Sequence, residues 1–158
     1  MKRRLRRIIG LIIIANLKLF TFITHRPRAR VFVVNEYNEV LLIRAIVSHG
    51  RWTLPGGGLN RHESAVAAAR RELLEETGID APESDFVHLA TLAKPDYEIP
   101  FTAPLFRLIV KRSVLPDHNV NPREIAEIGW FHRDALPEPL SLIALAALDL
   151  DNDEPKQR

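Results

Sequence analysis

The 158-residue chain has no cysteine. That excludes disulfides, thiolate zinc sites and cysteine nucleophiles, and it fits a reducing compartment. Nor does it have the run of about 20 apolar residues that a membrane-crossing helix needs. Its longest clean stretch, IIGLIIIA, ends before Asn16 and Lys18. No secretory cleavage site is evident behind it. The patterns GxxxxGK[ST] and GxGxxG are both missing, so Gly56, Gly57 and Gly58 do not form one of those phosphate loops. The six histidines (25, 49, 62, 88, 118 and 132) show no metal-ligand spacing.

Acid is missing from residues 1 to 30, which hold nine of the 22 Lys and Arg. The rest of the chain then carries 13 basic residues against 20 acidic ones. A basic arm therefore precedes an acidic body. An acidic body is a poor general surface for nucleic acid, so no specific nucleic-acid binding is expected. The arm, residues 1–28, has an Arg cluster beside an Ile-rich stretch. It reads as an interfacial helix, with residues 1–24 touching an anionic membrane surface. It reads equally as a helix packed on the domain or across a homodimer, and the Ile-rich run could also be a strand. The expected location is the cytoplasm, at the inner membrane face if the first reading holds.

Residues 29–150 carry the pattern of one mixed α/β domain. ARVFVVN (29–35) and EVLLIRA (39–45) read as a hairpin across the turn EYNE. FVHLATLA (86–93), FTAPLFRLIVKR (101–112) and EIAEIGWF (124–131) read as further strands. Pro104 suggests an edge or a bulge in the second of these. SLIALAALDL is an apolar helix behind Pro137 and Pro139, and residues 151–158 read as a polar tail. Between the strands, Asn60 as N-cap, Glu63 three residues on and Gly78 as C-terminal glycine predict a helix from about Arg61 to Thr77. Trp52 reads as a core residue.

That helix is unusually acidic. Glu72, Glu75 and Glu76 share one side at helical spacing, where like charges repel. Ala65 and Ala68 lie on the same side and would leave room for a ligand, while Val66, Ala69 and Leu73 face the core. Leu74 and Ala67 on the other flank suggest that much of the helix is covered. Arg71 is spaced to orient Glu75. By itself an acidic stripe reads better as a solvated face. Three convergent carboxylates also suit a hard cation, Mg²⁺ or Mn²⁺, which would supply the missing counter-charge.

The surrounding residues favour the second reading. GGLNRHESAVAAARRELLEETGI (57–79) resembles the Nudix box, G-x5-E-x7-R-E-U-x-E-E-x-G-U. Gly57, Glu63, Arg71, Glu72, Leu73, Glu75, Glu76, Gly78 and Ile79 fill its specified positions. The resemblance implies an α/β/α sandwich and a hydrolase acting on a nucleoside diphosphate linked to another group. It implies Mg²⁺ (Mn²⁺ may stand in) held by Glu72, Glu75, Glu76 and the Gly56 carbonyl, with metal-activated water attacking one phosphorus. Arg71 would orient a box glutamate, and Glu63, Gly57 and Gly78 would support the loop. Glu124, ahead of Glu127, is expected to complete the site. Glu72 and Glu124 are both candidates for the general base. Pro95 resembles a marker for ADP-ribose and Tyr97 one for dinucleoside polyphosphates. Tyr97 and Phe101 are candidate base-stacking residues. The alternative is a nucleotide sensor on the same fold.

Overall fold

The computed structural model describes residues 26–46, 48–93, 101–114, 116 and 124–153. The arm through residue 25 and the segment 94–100, with Pro95 and Tyr97, lie outside them, so neither the expected N-terminal helix nor the Tyr97 contact is addressed.

Five strands form one mixed sheet. They are β1 (Arg30–Asn35), β2 (Glu39–Ala45), β3 (Val87–Leu92), β4 (Ala103–Val110) and β5 (Ile125–His132). Their order is β3-β4-β1-β2-β5. Only β1 and β4 run parallel; β1–β2, β2–β5 and β3–β4 are antiparallel. Side chains alternate across a strand, so the β-branched run of β1 is divided between two cores. Val31 and Val33 face helix α1 (Ala65–Thr77), while Phe32 and Val34 face helix α2 (Leu142–Asp153). All four are 2% exposed or less. Each such side chain contributes about 1.5–3 kcal/mol through burial, which fixes the register that carries the site.

Helix α1 begins later than expected. Asn60 and Glu63 do pair: the Asn60 N–H donates to Glu63 Oε2 at 2.7 Å, and the Glu63 N–H to the Asn60 carbonyl at 3.2 Å. That pairing closes a turn, not the helix. His62 takes a φ of 65°, which a right-handed helix cannot pass through. The N-cap is Ser64, whose Oγ accepts from the Ala67 N–H at 3.1 Å. Gly78 ends the helix with a φ of 72° and an N–H bonded to the Leu74 carbonyl.

Other expectations are also corrected. Ala68 is fully buried with Ala69 and Leu73, so it leaves no room for a ligand. Leu74 is 43% exposed, so its flank is not covered. Strand β4 is interior, not an edge. Pro104 is tolerated because the parallel ladder to β1 starts only at Leu105. The irregularity opposite lies in β3, between His88 and Ala90. Helix α2 runs to Asp153, beyond the end read from the sequence. The Asp151 carboxylate, 6% exposed, lies 2.7 Å from Arg107 and is also held by Arg133. Two guanidiniums thus tie the last turn to the sheet.

Candidate active site

The loop between β2 and α1 approaches the strand end at two glycines. A side chain on Gly56, whose φ is 134°, would strike the Ala29 carbonyl, and one on Gly57 would occupy the place of the Glu72 carboxylate. Glycine therefore lets the loop lie against β1 while Glu72 reaches under it. The Gly56 N–H donates to Glu76 Oε2 at 2.7 Å. The Gly56 carbonyl accepts from Arg30 Nη1, which also reaches the Leu54 carbonyl at 3.2 Å.

Arg71 is the hub on the other side of the loop. It grips Glu63 with two hydrogen bonds, of 2.8 and 3.0 Å. It reaches Glu72 at 2.7 Å and the Gly58 carbonyl at 3.0 Å, but Glu75 only at 3.4 Å. Its first role is to bind loop to helix, and orienting Glu75 is secondary. Hydrogen bonding to Arg71 holds the Glu63 carboxyl below the usual range, and the same bond raises the guanidinium. Arg70 pairs instead with Asp80, beyond the helix. The charge of Glu63 and Glu72 is thus balanced locally, and that of Glu75 in part.

Glu76 is different. Burial pushes its carboxyl up to about 7 against the pull of the Gly56 N–H and Arg30, and Glu72 and Glu124 push it the same way. These three carboxylates share one cavity of about 840 Å³, walled also by Gly56, Gly57 and Gly58. Glu124 stands in the turn before β5, and its carbonyl accepts from the Ile46 N–H at 2.8 Å. Glu127 is paired with Arg44 across the sheet and does not line the cavity. Glu75 is 54% exposed and also lies off the cavity wall. Among the described residues, no three metal-capable side chains converge on one point. Phe101 lines the cavity, but guanidiniums cover its ring: Arg28 at 5.1 Å and Arg30 at 5.9 Å from the centroid. Trp52 is 8% exposed and packs edge-on against Phe131 at 4.8 Å, as a core residue should.

The sequence matches the NUDIX domain over residues 24–150. The chain belongs to the Nudix family. An RNA pyrophosphohydrolase of Bartonella clarridgeiae is 39% identical over 70 residues, covering 39% of this chain and 40% of that one. The fold is similar to a MutT Nudix hydrolase of Burkholderia pseudomallei, with TM-score 0.66, 28% identity, and 79% and 96% of the two chains covered. It is also similar to an ADP-ribose pyrophosphatase of Streptococcus suis 89-1591, with TM-score 0.63, 25% identity, and 84% and 95% covered. The chain spans only 13% to 50% of the length of such curated relatives.

Sequence reasoning missed the arginines that line the same cavity as the carboxylates. Arg26, Arg28, Arg30 and Arg51 all line the cavity. The signal was the period-two spacing of RPRAR, which puts three arginines on one side of an extended chain. On the sequence alone, Arg26 and Arg28 fall in the arm and Arg30 in the first strand.

Proposed function

We propose that this Nudix protein is a divalent-metal-dependent hydrolase that cleaves a phosphoanhydride bond in a nucleoside diphosphate derivative. The observation that carries the proposal is the shared cavity of Glu72, Glu76 and Glu124 beside a glycine loop whose N–H already holds one of them. Like charge gathered in one cavity, with oxygen donors only, fits a hard cation such as Mg²⁺ or Mn²⁺. Glu72 and Glu76 would hold it from inside the cavity, and Glu75 from the exposed side of the same helix. The Gly56 carbonyl, which already accepts from Arg30, would join through its second lone pair. When bound, the cation supplies charge neutralisation at the diphosphate and a more acidic water.

The protein's own groups have separable tasks. Arg71 spans Glu63, Glu72 and the Gly58 carbonyl, and so holds the carboxylates against the loop. Glu72 spends an oxygen on Arg71, whereas Glu124 has no ion pair among the described residues. Glu124 therefore suits the proton acceptor, since no cation among the described residues holds its oxygens. ADP-ribose and dinucleoside polyphosphates are the substrates for first trial. The basic arm adds a contact between residues 1–24 and an anionic membrane surface at the cytoplasmic face, or else a homodimer contact.

The test is a turnover screen with Mg²⁺ over nucleoside diphosphate sugars, ADP-ribose, dinucleoside polyphosphates and nucleoside triphosphates. Hydrolysis of one class, lost in Glu72→Gln, supports the proposal. Tight nucleotide binding with no product from any class replaces the enzyme with a sensor.

A further inference from the structure

The hydrolase reading gives work to the acidic residues of the cavity and none to the arginines that also line it. Arg26, Arg28 and Arg30 alternate into β1, and Arg51 stands on the loop after β2. Arg28 and Arg30 share the Phe101 ring, so cation–π attraction holds two like charges side by side. Their tasks differ. Arg30 is committed to the Leu54 and Gly56 carbonyls, with its Nε buried and without a partner. Among the described residues, Arg28 is held by its backbone and its ring contact. Its N–H donates to the Thr102 carbonyl at 2.9 Å, and it bridges to Gly58. Among the described residues, neither Arg28 nor Arg51 meets a carboxylate.

Guanidiniums that line a cavity and, like Arg28 and Arg51 among the described residues, meet no carboxylate suit phosphate, because the planar fork matches phosphate oxygens two at a time. With a cation on the acidic wall, the cavity has positive charge to spare. A diphosphate ending in a neutral sugar leaves Arg28 and Arg51 without a partner. A longer phosphate chain supplies one.

Resting on the hydrolase reading, we infer that Arg28 and Arg51 form a phosphate subsite that selects chains of three or more phosphates, as in a nucleoside triphosphate or dinucleoside polyphosphate, over ADP-ribose. Phe101 is the positioning residue beneath Arg28, not a stacking platform for a base.

The experiment compares KM for a nucleoside triphosphate and for ADP-ribose in wild type, Arg28→Met, Arg28→Lys and Phe101→Leu, in excess Mg²⁺. Arg28→Met should raise the triphosphate-to-ADP-ribose KM ratio about 10-fold, the worth of one charge-assisted contact. Arg28→Lys should recover part of it, and Phe101→Leu should raise the same ratio by less. A ratio unmoved by Arg28→Met, or a wild type that prefers ADP-ribose in kcat/KM, overturns the inference. Calorimetry with inorganic tripolyphosphate and pyrophosphate keeps the question open to decision if nothing is hydrolysed. Absent turnover sinks the hydrolase reading alone. Equal affinity for the two anions, or no loss in Arg28→Met, sinks the subsite.

Discussion

Glu76→Gln should stabilise the metal-free protein at pH 8 and leave it nearly unchanged at pH 5. The folded carboxyl titrates at about 7 against an ordinary 4.5, mainly because burial penalises its charge. A group raised in the folded state adds stability below its unfolded value and loses it as pH climbs through the folded value. The gap corresponds to about 3 kcal/mol at about 1.4 kcal/mol per pH unit, and about 2.5 kcal/mol of it develops between pH 5 and pH 8. Glutamine keeps an acceptor for the Gly56 N–H and carries no charge, so its own curve lacks this loss. At a few degrees per kcal/mol for a chain of this size, the difference in melting temperature between variant and wild type should grow by roughly 5–10 °C over that range. Thermal melts in a chelator, at several pH values, read it directly. Taking the difference between the two proteins cancels the histidines. Saturating Mg²⁺ should stabilise the wild type most at pH 8, since the cation binds the ionised carboxylate, and should do much less for the variant. Parallel melting curves from pH 5 to pH 8 without metal would refute the reasoning.

Four further outcomes are expected. Gly57→Ala should abolish most activity while circular dichroism stays native, because the new methyl occupies the place of the Glu72 carboxylate; full turnover would show that Glu72 can move without cost. Glu124→Gln should lower kcat more than it alters KM, whereas Glu127→Gln, which breaks only an exposed pair with Arg44, should change stability by less than about 1 kcal/mol; equal small effects on kcat would place the base elsewhere. Asp151→Asn leaves two guanidiniums without their carboxylate and should cost about 3–5 kcal/mol in urea unfolding; a loss below about 1 kcal/mol would make the last turn of α2 dispensable. Deleting residues 1–24 should remove co-sedimentation with anionic vesicles and keep hydrolysis, whereas a large fall in melting temperature without vesicle binding would assign the arm to packing.

The local elements and the family were legible in the sequence because their causes are local. Period-two β-branched runs specify strands wherever they occur, and Gly78 ends a helix through its own φ. The box residues carry their spacing with them. The start of α1 was not legible. Asn60 with Glu63 and Ser64 with Ala67 are both capping pairs, and the left-handed His62 decided between them. The membership of the acidic group was read from the box and from Glu124, but which of its carboxylates share the cavity belonged to the tertiary structure. Glu72, Glu75 and Glu76 look equivalent on a helical wheel, yet packing turned Glu76 inward under Gly56 and left Glu75 in solvent. Glu124 and Glu127 are three residues apart; the sequence ranked Glu124 first, and the pairing of β2 with β5 supplies the physical reason, since it gives Glu127 to Arg44 while Glu124 lines the cavity. Arg28 and Arg30 precede Glu72 by 44 and 42 residues, and the close approach of Gly56 to Ala29 brings them to the same cavity. A short-range pattern states which side chains share a face. What lies opposite that face, and at what cost a charge is held there, depends on burial and on contacts between distant residues, and the fold sets both.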